Sequence, residues 1–175
     1  MVNEAFSKWI DFFVQADSNK DFKILQISDP QILDASQSRY KGRLDYANEL
    51  SEQELYDRCF YYIDQAVKKT CPNLITIAGD IVYGEFDDSG KSLERFIAYM
   101  ESLNILWAPI FGNHDNESFK GATWQSKRLE NAKNCLFKQG NTLGNGNYTI
   151  GIEQGGKLKR VRPHGALAHR GAEPV

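Results

Sequence analysis

The sequence has few cysteines, no long hydrophobic run and almost no net charge. Its three cysteines, Cys59, Cys71 and Cys135, lack the spacing of a metal site, and an odd number cannot pair completely. We therefore expect reduced thiols and a cytoplasmic protein. No stretch approaches the roughly 20 apolar residues of a membrane-spanning helix, and no basic segment before an apolar stretch indicates a signal peptide. A formal net charge of −2 in 175 residues gives no reason to expect nucleic acid or a membrane as a partner.

The length and composition are those of a single globular domain, with 41% hydrophobic and 25% charged residues. At the amino terminus, residues 5–15 place Trp9, Ile10 and Phe13 on one side of a helical projection, with charged residues opposite. We therefore expect residues 1–21 to form an amphipathic helix that packs on the domain.

Polar clusters follow three apolar runs, at the point where each run ends. The runs are residues 23–27, 74–78 and 108–111, and the clusters are Ser28-Asp29-Pro30-Gln31, Gly79-Asp80 and Gly112-Asn113-His114-Asp115. The runs are rich in β-branched and aromatic residues, which favours strands, and helical patterns separate them. The predicted helices contain residues 51–67, 93–100 and 125–136, and a later strand is predicted at 147–153. Ligands bind at the carboxyl edge of such α/β sheets, so the three clusters predict a metal site at that edge.

The residue types in these clusters suit phosphate-ester hydrolysis. Two divalent cations about 3.5–4 Å apart are a recurrent solution for this reaction, and they need a short carboxylate that bridges them. Asp80 is the bridge candidate because it follows the middle strand and a glycine. Asp29 would bind one ion and Asn113 the other, through its amide oxygen. His114 would donate a proton or hydrogen bond to the substrate, and Asp115 would orient the His114 imidazole.

These blocks resemble the first three motifs of the calcineurin-like metallophosphoesterases. The segment 79–84, Gly-Asp-Ile-Val-Tyr-Gly, is similar to the purple-acid-phosphatase-like branch. The resemblance implies an αββα sandwich, two divalent metal ions (manganese, iron or zinc), and attack on phosphorus by a metal-bound hydroxide. It also implies metal-binding roles for Asp29, Asp80 and Asn113, and an acid or phosphate-binding role for His114.

Gln31 departs from the family pattern, which usually has histidine at this position. The Gln31 amide oxygen is a neutral donor that suits a hard cation, and we keep Gln31 as a candidate metal ligand. The family completes its metal centre with a downstream histidine and a Gly-His-x-His block, which are absent from this sequence. We expect His164 and His169 not to replace them, because their context differs from those blocks.

The predicted domain therefore covers residues 22–160 and corresponds to the amino-terminal half of the sandwich, a βαβαβ unit with additional strands. Residues 161–175 change in composition to arginine, proline, histidine, glycine and alanine, and we expect an atypical, disordered tail.

Two further features have alternative interpretations. Tyr83 resembles the tyrosinate ligand of purple acid phosphatases, but packing in the core or at the edge of the site is the favoured interpretation. Asp87 and Asp88 have the pattern of ordinary loop charges.

The sequence thus predicts a metal-dependent phosphoesterase that hydrolyses phosphomonoesters or phosphodiesters, with impaired activity because the downstream histidine ligands of the family are missing. The alternative is a non-catalytic family fragment with a weak single-metal site. An interaction module is a further alternative, because half a sandwich would leave the inner face of its sheet uncovered.

Overall fold

The computed structural model describes residues 9–34, 52–140 and 144–161. Within these ranges the elements are β1 (Phe12–Ala16), β2 (Ile24–Ile27), α1 (Glu52–Thr70), β3 (Leu74–Ala78), α2 (Lys91–Ser102), β4 (Leu106–Ile110), α3 (Gly121–Glu130), β5 (Ile150–Gln154) and β6 (Lys157–Val161). Two short 3-10 turns, Gly84–Phe86 and His114–Glu117, follow β3 and β4. Most of the predicted tail, including His164 and His169, lies outside the described residues. None of the helices in these ranges has both the length and the apolar character needed to cross a membrane.

The strands form two three-stranded sheets. One sheet has the order β2-β3-β4 and is entirely parallel, so β3 is its central strand. The other has the order β1-β5-β6, in which β1 runs parallel and β6 antiparallel to β5. Two sheets with three helices in the described residues form a mixed α/β fold, as expected for the amino-terminal half of an αββα sandwich. The parallel βαβαβ unit predicted from the three apolar runs is confirmed.

The amphipathic helix predicted near the amino terminus is wrong for the residues that the structure describes. Residues 12–16 form β1, which pairs with β5 from Phe12 beside Ile150 to Ala16 beside Gln154. Val14 and Ala16 are buried, whereas Phe13 is 55% exposed. This alternation has the period of two that is typical of a strand with one covered face. A short apolar segment satisfies helical and strand patterns equally well, and the distant β5 decides between them.

Both faces of the central strand β3 are covered. Leu74 and Ile75 point to opposite faces because they are consecutive in a strand, and both are fully buried. On one face, the ring of Phe96 in α2 lies 6.1 Å from that of Trp107, which pairs with Ile75 across the sheet. The apolar cluster that contains β3 also includes residues of β1 and β5. The uncovered inner face expected of a half sandwich is therefore wrong for β3, and the interaction-module alternative stays an untested prediction.

Asp87 is not the ordinary loop charge that the sequence suggested. It is 1% exposed, and its carboxylate accepts hydrogen bonds from the backbone N–H groups of Ser92 (2.7 Å) and Leu93 (3.2 Å). Burial raises the pKa of Asp87 to about 6; the charge of Asp34 adds to this rise, and the two N–H groups oppose it. Asp87 therefore stabilises the first turn of α2, whose unpaired N–H groups need an acceptor.

The assignment of β1 predicts that substitutions at two neighbouring residues change the free energy of unfolding by different amounts. Val14→Ala should lower the free energy of unfolding by about 1–3 kcal/mol, because it removes buried methyl groups. Phe13→Ala should change it by less than about 0.5 kcal/mol, because Phe13 lies on the open face of the strand. Urea denaturation of both variants measures the difference. A larger loss for Phe13→Ala than for Val14→Ala would support the helix instead.

The raised pKa of Asp87 predicts a pH dependence of stability. The native state keeps a proton on Asp87 between about pH 4 and pH 6, where the unfolded state has lost it, so this group's contribution to stability falls as pH rises through that window. Asp87→Asn keeps an acceptor for the α2 N–H groups but removes the ionisation. The stability advantage of wild type over Asp87→Asn should therefore shrink, by an amount on the order of 1–3 kcal/mol, between pH 4 and pH 6.5 in urea unfolding. A constant difference would contradict the assignment.

Candidate metal centre

The loop after β2 continues to pair with the loop after β3, beyond the ends of the strands. The N–H of Asp29 donates to the carbonyl of Gly79 (3.3 Å), and the N–H of Gln31 donates to the carbonyl of Asp80 (2.9 Å). Further on, Ile32 donates to Ile81 at 3.0 Å. These backbone contacts bring the first and second predicted motifs together at the carboxyl edge of the sheet.

Three of the candidate ligands have an uncommon backbone conformation. Asp29, Gln31 and Asp80 have φ angles of +53°, +43° and +48°. Left-handed conformations are uncommon for residues other than glycine, and residues held in such strained conformations cluster at functional sites. The surrounding loop contacts must offset this conformational cost. A binding site at this edge of the sheet would explain why three residues in strained conformations lie there together.

Two glycines allow the loops after β3 and β4 to touch. A Cβ atom on Gly79 would lie 2.9 Å from the backbone N and Cα of Gly112, and Gly79 itself has a φ of +92°. A Cβ atom on Gly112 would lie 2.1 Å from Oδ1 of Asp80 and 2.6 Å from its backbone N. Only residues without a side chain fit such distances. The second and third motifs are therefore in direct contact.

Asp80 is the buried member of the candidate ligand set. It is 8% exposed and follows the central strand, as predicted, and its Oδ1 accepts the backbone N–H of His114 at 2.9 Å. Asp29, Gln31 and Asn113 are exposed. The edge thus presents two carboxylates and two side-chain amides. The hydrogen bond from His114 holds the Asp80 carboxylate in place, and the other three side chains are open to solvent.

Asp115 does not orient His114, contrary to the prediction. Its Oδ1 accepts the N–H of Val82 (3.0 Å) and its Oδ2 accepts the N–H of Gly112 (2.7 Å). Burial raises the pKa of Asp115 to about 7; these N–H groups oppose the rise, and the charge of Asp80 adds to it. Asp115 therefore ties the loop after β3 to the loop after β4 and positions the candidate ligands that both loops carry.

Glu117 occupies the role predicted for Asp115. Its Oε2 lies 2.7 Å from Nδ1 of His114, and the ring of Tyr83 lies 4.6 Å from the imidazole ring. Residues three apart coincide on the same side of a 3-10 turn, whereas adjacent residues diverge. The spacing of His114 and Glu117 was the available signal, and the sequence prediction missed it by assuming that the neighbouring carboxylate was the partner. Tyr83 lies at the edge of the site, in agreement with its favoured interpretation.

The 3-10 turns after β3 and β4 pack directly on each other. A Cβ atom on Gly84 would lie 2.1 Å from the carbonyl oxygen of His114 and 2.8 Å from the N of Ser118. The hydroxyl of Ser118 donates to the carbonyl of Asp87 at 2.7 Å. These contacts fix His114 relative to Asp80 and extend the link made by Asp115.

The donor set fits a hard divalent cation. Carboxylate and amide oxygens suit magnesium, calcium and manganese, whereas imidazole and thiolate donors favour softer ions. Among the described residues, no group of three or more histidine, cysteine, aspartate and glutamate side chains is arranged to hold a metal ion. The two carboxylates therefore depend on the amides of Gln31 and Asn113 to enlarge the ligand set.

The fold brings the three motifs together at one edge of a parallel sheet, and comparison with known proteins identifies the family. The sequence model of the calcineurin-like phosphoesterases matches residues 22–171, and the chain belongs to that family. Its relatives include probable inactive purple acid phosphatase 14 of Arabidopsis thaliana, 29% identical over 149 residues. They also include an uncharacterized protein of Schizosaccharomyces pombe, 26% identical over 136 residues, and phosphatase DCR2 of Saccharomyces cerevisiae, 30% identical over 100 residues.

These alignments cover most of the chain but a minor part of each relative. They include 75% of the chain and 34% of the Arabidopsis protein, and 77% of the chain and 26% of the S. pombe protein. For phosphatase DCR2 the shares are 52% and 17%. The chain thus spans about a third or less of the length of these relatives. No solved structure matches it significantly.

The contact between Gly112 and Asp80 predicts a sensitive position. Gly112→Ala should displace the Asp80 carboxylate, lower the free energy of unfolding by about 1–3 kcal/mol, and weaken Mn²⁺ binding. Urea unfolding and titration calorimetry measure the two effects. Gly156→Ala is the control: its Cβ would meet nothing within 4 Å, so it should carry only the cost of its positive φ, about 1–2 kcal/mol, and leave Mn²⁺ affinity unchanged. Wild-type Mn²⁺ affinity in Gly112→Ala would contradict this account.

Proposed function

We propose that this chain supplies the first half of the metal centre of a phosphoesterase that hydrolyses phosphomonoesters or phosphodiesters. The observation that carries the proposal is the convergence of three motifs through backbone contacts, Asp29 with Gly79 and Gly112 with Asp80. Membership of the calcineurin-like phosphoesterase family supports the reaction class. The substrate is a phosphorylated molecule, and the site faces solvent on the side where that molecule would enter.

Asp29, Gln31, Asp80 and Asn113 would hold a divalent cation, and their oxygen donors make manganese the best first candidate. A bound cation would supply positive charge that polarises the phosphoryl group and favours attack by water. A complete two-ion centre of manganese, iron or zinc would need further donors besides these four residues.

His114 would act on the phosphate or on the leaving group. When its Nδ1–H donates to Glu117, its Nε2 is the nitrogen available to the substrate. In the imidazolium form Nε2 carries a proton that it can donate to the leaving oxygen or to a phosphate oxygen. Glu117 therefore fixes the orientation of the ring, and Asp115 fixes the loop that carries it.

A second candidate function is metal binding without efficient catalysis. The Arabidopsis relative is named a probable inactive purple acid phosphatase, and the four oxygen donors fit one ion better than two. In this alternative the edge binds a single cation weakly and the chain has no phosphatase activity.

The test separates binding from turnover. We expect titration with Mn²⁺, followed by electron paramagnetic resonance and calorimetry, to show one bound ion per chain. Asp80→Asn should weaken that binding at least tenfold because it removes the central carboxylate, and Asp57→Asn, an exposed position on α1, should not. We expect slow hydrolysis of p-nitrophenyl phosphate that is lost in Asp80→Asn.

Two outcomes would change the proposal. Mn²⁺ binding without any turnover above that of Mn²⁺ in buffer would favour the second candidate function. Binding that is the same in wild type and Asp80→Asn would remove the metal centre from this edge and contradict both candidates.

A further inference from the structure

A groove opens between the loop after β2 and helix α1. Its volume is about 430 Å³, within the range of small-molecule sites in proteins. Its lining combines the loop Ser28–Leu33 and Ile27 with one side of α1, through Leu55, Tyr56, Arg58, Cys59, Tyr62 and Ile63. We call it the α1 groove.

The α1 groove is continuous with the candidate metal centre. Asp29 and Gln31 line the groove and are also two of the four candidate metal ligands. A phosphate held at the sheet edge would therefore have the groove directly beside it. The remainder of a phosphoester has to lie on one side of its phosphate, and this groove is a concave surface adjacent to it in the part of the chain that the structure describes.

The groove offers apolar walls with an aromatic ring at the rim. Ile32 and Ile63 are 4% and 6% exposed and contribute to the walls, whereas Tyr62 is 63% exposed. An exposed tyrosine adds little to folding stability, but its ring presents a flat surface to a ligand. Arg58 is one helical turn before Tyr62 and provides the positive charge among the described lining residues.

We propose that the α1 groove binds the organic part of the phosphoester substrate, and that this part is an aromatic or similarly flat apolar group. Tyr62 packs against that group, and Arg58 attracts the negative charge of the phosphate from the rim. This inference rests on the proposed function, because it places the phosphate at the edge formed by Asp29 and Asp80.

The test compares phenylphosphonate with methylphosphonate in the presence of Mg²⁺, with affinities from titration calorimetry. Neither compound has an ester bond to hydrolyse, so binding is measured without turnover. Wild type should prefer phenylphosphonate by about threefold to tenfold, the range typical of one aromatic contact. Tyr62→Ala should abolish this preference while keeping the affinity for methylphosphonate. Phe13→Ala is the control, since Phe13 is similarly exposed (55%) but lies on β1 and does not line the groove.

Two further variants separate the contributions. Arg58→Gln should weaken both phosphonates alike, by up to about fivefold, and leave the phenyl preference intact. Asp80→Asn should weaken both phosphonates if the proposed metal centre is correct, again without changing the preference. If the phenyl preference persists and Asp80→Asn does not change the affinity for either phosphonate, the proposed function is contradicted but the assignment of the groove is not.

Equal affinities for the two phosphonates, including no measurable binding of either, would overturn the assignment. An equal effect of Phe13→Ala and Tyr62→Ala on the phenyl preference would also overturn it. If the chain self-associates and Tyr62→Ala abolishes that association, with no phenyl preference, the groove would belong to a contact between two copies instead.

Discussion

The close contact between two glycines, Gly79 and Gly112, is the constraint on which the site depends. It lets the loops after β3 and β4 approach to a distance that no side chain allows, so that Asp80 lies under the loop of Asn113 and His114. Asp115 then holds the same loops together with hydrogen bonds to Val82 and Gly112. The candidate ligands belong to the ends of three separate strands, and backbone contacts bring those strand ends together.

Much of this edge is predictable from the sequence because it depends on local signals that agree. The strands β3 and β4 follow from β-branched and aromatic runs, and the polar residues directly after them must lie at the carboxyl edge of a parallel sheet. The place of Asp80 after the central strand follows from the same argument. Burial of Leu93, Phe96 and Met100 in α2 follows from helical spacing.

The parts that could not be predicted depend on partners far away in the sequence or on turn geometry. Residues 12–16 form a strand because β5 lies beside them, and no property of the segment itself identifies that partner. The sequence around Asp87 is typical of a surface loop, and its burial depends on the packing of the start of α2 against it. The pairing of His114 with Glu117 depends on a 3-10 turn, since an extended chain would separate their Cα atoms by about 10 Å.

The pairing of β1 with β5 also has a consequence for how the chain is made. Hydrogen bonds such as that from Gln15 to the carbonyl of Glu153 join residues 138 positions apart. During synthesis, the first strand therefore leaves the ribosome long before its partner exists, while the β2-β3-β4 sheet can already assemble. Closing such a long loop is entropically costly and tends to come late in folding. The amino-terminal segment, with Phe13 and the 69% exposed Trp9, must then wait for β5, and this interval is where chaperones or aggregation would compete.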